Sequence, residues 1–215
     1  MLGLQRDHWR LTSVILALIG VLVIFGCNGD SAEPTTDYEG TELAGAAPDF
    51  RLIDQKGDAI ALSDFRGKVV VLAFMDSRCD ETCPLTALEL RTAYQSLGEA
   101  AAQAVVLGVN VNANFNSRED VDAFTAEFKL NEIPPWHFLT GAAEELSSVW
   151  KAYFIEVRAQ PEEEDFDHTP GLYVIDQDGN MRWYISVPLQ EEGWSGPPLS
   201  DLLTKRVREL LKVQP

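Results

Sequence analysis

The run Lys68-Val69-Val70-Val71-Leu72-Ala73-Phe74-Met75-Asp76-Ser77-Arg78-Cys79-Asp80-Glu81-Thr82-Cys83-Pro84 decides how this chain is read. Within residues 68–75, everything after Lys68 is apolar and rich in valine, the pattern of a strand covered on both faces in a parallel sheet. A helix is expected immediately afterwards, over 80–97. Pro84 lacks an N–H and is tolerated only in a first helical turn, which places Cys79 and Cys83 at the strand-to-helix corner. Two sulfurs four residues apart at a helix start lie on one face, about a turn apart. The positive end of the helix favours thiolate over thiol.

Outward from this corner, strands are expected at 49–53 and 59–62, joined by a turn at 55–58, which makes an N-terminal β-hairpin. Residues 104–111 read as a second buried strand. Ser117-Arg118-Glu119-Asp120 reads as a capping box that opens a helix reaching 129. A short strand at 136–139 and a helix over 142–153 follow. Residues 159–167 form an acidic interruption. Strands at 172–176 and 181–187 flank a hairpin turn at 177–180, and a helix over 199–213 closes the chain. Strands alternating with helices, then a terminal hairpin and helix, imply an α/β fold around one central mixed β-sheet flanked by helices.

The chain has 215 residues, 34 acidic against 17 basic, for a net charge of -17. No basic patch is available to neutralise phosphates, so nucleic acid is excluded as a partner. Acidity of this degree suits cationic ligands or a partner with a basic face. The domain is expected over 45–215. Residues 28–44 are polar and acidic and read as a flexible linker. Residues 1–27 read as a signal-type anchor: Arg6 and Arg10 precede an apolar run over 11–26. Ile24-Phe25-Gly26-Cys27 resembles a bacterial lipobox, so lipidation at Cys27 is expected. An uncleaved anchor is the alternative, because Phe25 is bulky for that position. Either form puts the domain on the extracytoplasmic face of a bacterial cytoplasmic membrane.

With Cys27 assigned to the anchor, Cys79 and Cys83 form a pair with no other partner. Outside the cytoplasm such a pair becomes a disulfide, binds a metal, or is kept reduced. Asp76, Asp80 and Glu81 are expected to raise the cost of a thiolate, slowing disulfide exchange and favouring a bound cation; Arg78 works the other way. Soft thiolates select Cu(I), and an imidazole would complete a three-coordinate site. His8 lies in the anchor. His137 sits in the strand-like Trp136-His137-Phe138-Leu139 and reads as a surface or hydrogen-bonded histidine. His168 lies in Asp165-Phe166-Asp167-His168-Thr169-Pro170, either an exposed loop histidine or one that faces the cysteines across the Pro170 turn. Asp167 is the candidate to fix its tautomer.

Three segments in order carry a family resemblance. Residues 74–86 (FMDSRCDETCPLT) resemble the cysteine signature of the Sco/SenC family. Residues 136–141 (WHFLTG) are similar to its Trp-x-Phe-Leu-Thr-Gly. Asp167-His168-Thr169-Pro170, with Tyr173-Val174-Ile175-Asp176, resembles its Asp-His-Ser/Thr segment and following strand. The resemblance covers 45–213 and implies a thioredoxin-like fold. It implies copper, as Cu(I) or Cu(II), held by Cys79, Cys83 and His168. It also implies delivery to a copper-site subunit of cytochrome c oxidase or to another copper carrier, with Cys79 and Cys83 as a redox-active disulfide pair. Asp80 and Thr82 depart from the family's usual proline and aliphatic residue.

Three rival readings share parts of this pattern. A TlpA-like thiol–disulfide oxidoreductase shares fold and anchor but normally carries Trp-Cys-x-x-Cys. A peroxiredoxin would place a threonine three residues before its cysteine and a proline further upstream, where this chain has Asp76 and Leu72. A non-catalytic copper or redox sensor would use the same site.

Overall fold

The computed structural model describes residues 38–159, 166–187 and 196–212. The expected anchor, Cys27 and the acidic stretch 160–165 lie outside the described residues. Among the described residues no helix is long and apolar enough to cross a membrane.

The strands run β1 (Thr41–Glu42), β2 (Arg51–Ile53), β3 (Ala59–Ala61), β4 (Val69–Met75), β5 (Ala104–Asn110), β6 (Trp136–Leu139), β7 (Val157–Ala159), β8 (Phe166–His168), β9 (Leu172–Ile175) and β10 (Met181–Ile185). The helices are α1 (Thr82–Leu97), α2 (Arg118–Glu127), α3 (Ala143–Ala152) and α4 (Leu199–Leu211). Six strands form one sheet in the order β1-β10-β9-β4-β5-β6. β4, β5 and β6 are parallel, while β9 and β10 run antiparallel beside β4. This is the expected mixed sheet, and β2 and β3 form the expected hairpin.

β4 shows why its run had to be continuously apolar. Val69, Val71, Ala73 and Met75 enter one core layer, with residues of α1, α2 and α4. Val70, Leu72 and Phe74 enter the other, with the buried face of α3 and Leu52 of the hairpin. α1 buries Cys83, Thr86, Ala87, Leu90, Ala93 and Leu97, the three- and four-residue spacing of a single helical face. Leu90 is 1 % exposed, so Leu90→Ala would cost about 2–5 kcal/mol. Gly98, at φ 58°, ends the helix in a conformation that glycine adopts without Cβ strain. Ser117 caps α2 as expected: its Oγ accepts from Asp120 N at 3.2 Å, and Asp120 Oδ2 accepts from Ser117 N at 3.0 Å.

Two regions differ from the sequence reading. Part of the expected linker belongs to the fold. Thr41 and Glu42 pair with Tyr184 and Trp183 of β10. The Tyr38 hydroxyl accepts from Ser186 N at 2.7 Å, and Glu39 bridges Lys205 at 2.7 Å and Arg206 at 2.6 Å on α4. The polar composition of 38–44 reads as a tether because edge pairing and surface ion pairs demand no apolar run. The acidic interruption, in turn, is bounded by a two-stranded sheet: Val157 pairs with His168 and Arg158 with Asp167. Among the described residues the one cis peptide bond joins Pro134 to Pro135, so the bond into Pro170 is trans.

Candidate metal centre

The cysteine corner is the turn between β4 and α1. Asp76, wholly buried at the end of β4, accepts from Arg78 N at 2.7 Å and so bends the chain. Glu81 opens α1 without a side-chain cap. Cys79 takes over that role: its Sγ accepts the Cys83 amide at 3.3 Å and lies 3.7 Å from the Thr82 hydroxyl oxygen. Pro84, in the first turn, has no amide that needs a partner. Both cysteines are unlinked and buried, Cys79 at 8 % exposure and Cys83 at 3 %.

The two thiols are driven apart in acidity. The Cys83 thiol hydrogen-bonds to the Cys79 sulfur and is the largest factor that lowers Cys79, to about 6, with the amides of Cys83 and Glu81 and the Thr82 hydroxyl adding to it against the opposing cost of burial. The same hydrogen bond pushes Cys83 well above the usual thiol range, reinforced by burial and by the negative charges of Cys79 and Asp76. At neutral pH the pair is one thiolate and one thiol. The expectation that acidic neighbours suppress the thiolate holds for Asp76 acting on Cys83 and fails for Cys79. Asp80 and Glu81 are exposed to water, whereas the donors to Cys79 touch its sulfur.

A buried polar network behind the corner escaped the sequence reading. Asn112 Nδ2 donates to both Asp76 oxygens, at 2.9 and 3.1 Å, and Asn112 Oδ1 accepts from Asn114 N and Phe115 N at 3.0 Å each. Asn110 Oδ1 accepts from Ser77 N at 3.2 Å, and its Nδ2 donates to Phe115 O at 2.8 Å. Ser77 Oγ donates to Phe115 O at 2.8 Å, and Trp150 Nε1 to Asn110 O at 3.0 Å. These bonds weld the loop after β4 to the loop after β5 and fix where Cys79 sits. The available signal was a set of asparagines in Asn110-Val111-Asn112-Ala113-Asn114, continuing a buried strand.

The histidines divide. His137 Nδ1 lies 2.9 Å from Asp54 Oδ2, and Asp54 is wholly buried in the β2–β3 turn, where its Oδ1 also accepts from Lys56 N and Asp58 N. Burial would raise Asp54, but these bonds outweigh it and hold the carboxyl below its usual range. His137 is therefore a structural clasp between β6 and the hairpin, as the sequence reading has it. His168 ends β8, with Nδ1 3.1 Å from Thr169 O. A carbonyl only accepts, so in neutral imidazole Nδ1 carries the proton and Nε2 the lone pair a metal would use. The Thr169 carbonyl thus fixes the tautomer from the Nδ1 side.

The structure does not bring His168 to the sulfurs. Among the described residues no three His, Cys, Asp or Glu side chains meet as a metal-holding group. Cys79 lines a cleft of about 460 Å³ with α2, while His168 lines a separate depression of about 360 Å³ with Glu156, Arg158 and Pro170. The physical reason is the hairpin: pairing with β7 holds His168 opposite Val157, on a sheet separate from the central one.

A sequence profile described as SCO1/SenC matches residues 39–193. The chain belongs to the SCO1/SenC family. The mitochondrial SCO2 homolog of Bos taurus is 29% identical over 143 residues, covering 64% of this chain and 53% of that protein. The chain spans about half the length of the SCO2 relatives it matches. The solution structure of apo Sco1 from Thermus thermophilus superposes with a TM-score of 0.64 at 27% identity, over 80% of this chain and 96% of that one. The copper-bound crystal structure of Arabidopsis thaliana ScoI gives a TM-score of 0.65 at 21% identity, over 78% and 99%. The fold is the thioredoxin-like one of these Sco structures. The matched residues of the SCO1/SenC profile begin six positions before Gly45, in keeping with the pairing of Thr41 and Glu42 into the sheet.

Proposed function

We propose that this Sco-family protein binds copper and delivers it for assembly of the copper centre of cytochrome c oxidase, from the extracytoplasmic face of the membrane. The observation that carries the reading is the pair of unlinked sulfurs at one helix start, joined where Cys83 N donates to Cys79 Sγ at 3.3 Å. Two soft sulfurs, one of them ionised at neutral pH, form a donor set that prefers Cu(I) over harder cations. Loading requires Cys83 to give up its proton, so copper uptake releases a proton and weakens as pH falls. His168 completes the site through Nε2 once the β7–β8 hairpin carries it to the sulfurs. Relatives support the cargo: one solved homologue is a Sco protein with copper bound. The apolar run over 11–26 and Cys27 support the location.

The redox role proposed for the same pair is release. Oxidation of Cys79 and Cys83 to a disulfide, with two electrons passing to a partner's disulfide, removes both sulfur ligands. The copper reading is tested by anaerobic titration of the reduced full chain in nonionic detergent against a competing Cu(I) chelator. One equivalent is expected to bind, with His168→Ala weakened and Cys83→Ser weakened further. Binding by Cys83→Ser as tight as that of the parent protein refutes the site.

A further inference from the structure

The cleft beside Cys79 has a composition that the metal site does not require. One wall is the cysteine turn and the other is α2. Half-buried Phe128 presents its ring to it, backed at 4.5 Å by the ring of Phe124, which is 2 % exposed. Asp80, Glu81, Asp120 and Glu127 line the same cleft, Asp80, Glu81 and Glu127 being exposed. The basic residue of the lining, Arg78, stacks its guanidinium 4.4 Å from the Phe115 ring centroid. Carboxylates around an accessible aromatic ring suit an ammonium or guanidinium group, because the Phe128 ring takes the aliphatic stem and the carboxylates take the charged head. The cleft ends at the sulfur that exchanges ligands.

We propose that this cleft docks a partner segment in which a Lys or Arg side chain lies next to the sulfur that exchanges with Cys79. The inference rests on the exchange role given to Cys79 above and specifies the partner's chemistry. The cation seats between Glu127 and Glu81 while the partner's sulfur meets Cys79. Anionic thiols and disulfides are turned away by the same carboxylates.

Small disulfides of different charge test this without copper. The probes are cystamine, 3,3′-dithiodipropionate and the neutral 2-hydroxyethyl disulfide. They are reacted with the reduced, metal-free full chain carrying Cys27→Ser in nonionic detergent at low ionic strength. The Cys79 thiolate attacks one probe sulfur and expels a thiolate. The Cys83 thiol, losing its proton, then displaces the second half. Each turnover forms one protein disulfide and two probe thiols. Cystamine is expected to react fastest and dithiodipropionate slowest. A unit charge about 6 Å away in water changes such a rate about threefold, so Glu127→Gln and Glu81→Gln should each slow cystamine and quicken dithiodipropionate by about that factor. The neutral probe should keep its rate. Glu99→Gln, past the far end of α1 and about 24 Å along its axis, carries only about a quarter of that Coulomb energy, so it should change the two charged probes by no more than about a third and leave the neutral one alone.

Equal effects of Glu99→Gln and Glu127→Gln would mean that only net charge matters, which overturns the cleft. Slowing of the neutral probe as much as cystamine would also overturn it, because the rim would then act on the Cys79 sulfur itself. Failure of the copper titration with these charge effects intact would overturn metal delivery and leave the docking cleft standing.

Discussion

Cys83→Ala isolates what makes Cys79 reactive. The Cys83 thiol is the leading donor to the Cys79 sulfur, whereas the Cys83 amide at 3.3 Å and the Thr82 hydroxyl at 3.7 Å survive the substitution. The Cys79 inflection should therefore rise from about 6 and stop short of the ordinary 9.0. At pH 7 a thiol that titrates at about 6 is roughly nine-tenths ionised and one at the ordinary 9.0 roughly one-hundredth, which bounds the change. The pH profile of iodoacetamide labelling of Cys79, measured on the tryptic peptide of the reduced Cys27→Ser chain from pH 5 to 9, should thus show its inflection moved upward in Cys83→Ala, with a higher plateau rate because a less acidic thiolate is the better nucleophile. Cys83 itself should resist labelling throughout that range. An unchanged inflection in Cys83→Ala, or labelling of Cys83 before Cys79, would refute the assignment. The same acidities set a stability profile. Between about 6 and 9 the fold holds Cys79 ionised while the unfolded chain holds it protonated, so the reduced protein gains stability as pH rises. Above 9 the sign reverses, because the fold keeps the Cys83 proton that the unfolded chain releases.

Asn112→Ala removes two donors from a carboxylate with no exposure to water and leaves the amides of Asn114 and Phe115 without their acceptor. A loss of about 3–5 kcal/mol in urea unfolding is expected, and Asp76→Asn in the same background should recover part of it; a loss below about 1 kcal/mol would show that the network does not hold the corner. Gly171→Ala would place a Cβ 2.3 Å from the ring of Tyr184, whose hydroxyl donates to Pro170 O at 2.7 Å. The ring must leave that carbonyl, at a cost of about 1–3 kcal/mol in the same assay.

The elements that were legible in the sequence are those whose residues face an apolar layer. β4 and β5 announced themselves through unbroken valine-rich runs, and α2 through Ser117 and Asp120 at its start. β1 was not legible because a two-residue edge strand presents Thr41 and Glu42 to water and needs only backbone pairing. Cys79 and Cys83 were legible as a pair, and the expected effect of acidic neighbours holds for Cys83 through Asp76 but not for Cys79. Counting Asp80 and Glu81 as neighbours in sequence overstated charges that water screens and missed the donors in contact with the sulfur. Asp76 and Asn112 lie thirty-six positions apart, and only the parallel register of β4 and β5, which sets Met75 beside Asn110, brings them together.

The placement of the two halves of the proposed site bears on how a carrier lets go. Cys79 and Cys83 are fixed to the central sheet through Asp76, Asn110 and Asn112, so the sulfur arm is rigid. His168 stands on a two-stranded sheet of its own, tied back by Thr169 N to Glu156 O and by Glu156 N to Thr169 Oγ1, each at 3.0 Å. A carrier with all three ligands on one rigid frame would bind tightly and exchange slowly. If His168 joins the sulfurs as proposed, its place on a separate hairpin would let the imidazole come and go without disturbing them. Departure of the imidazole opens one coordination position while both sulfurs stay in place, which is where a partner's ligand enters. Under this reading Thr169→Val, which keeps the backbone bond and removes the hydroxyl acceptor, loosens the hairpin. It should speed copper loss to a competing chelator severalfold while leaving the Cys79 labelling profile unchanged. A slower loss, or a shifted Cys79 inflection, would show that hairpin and sulfurs move as one body.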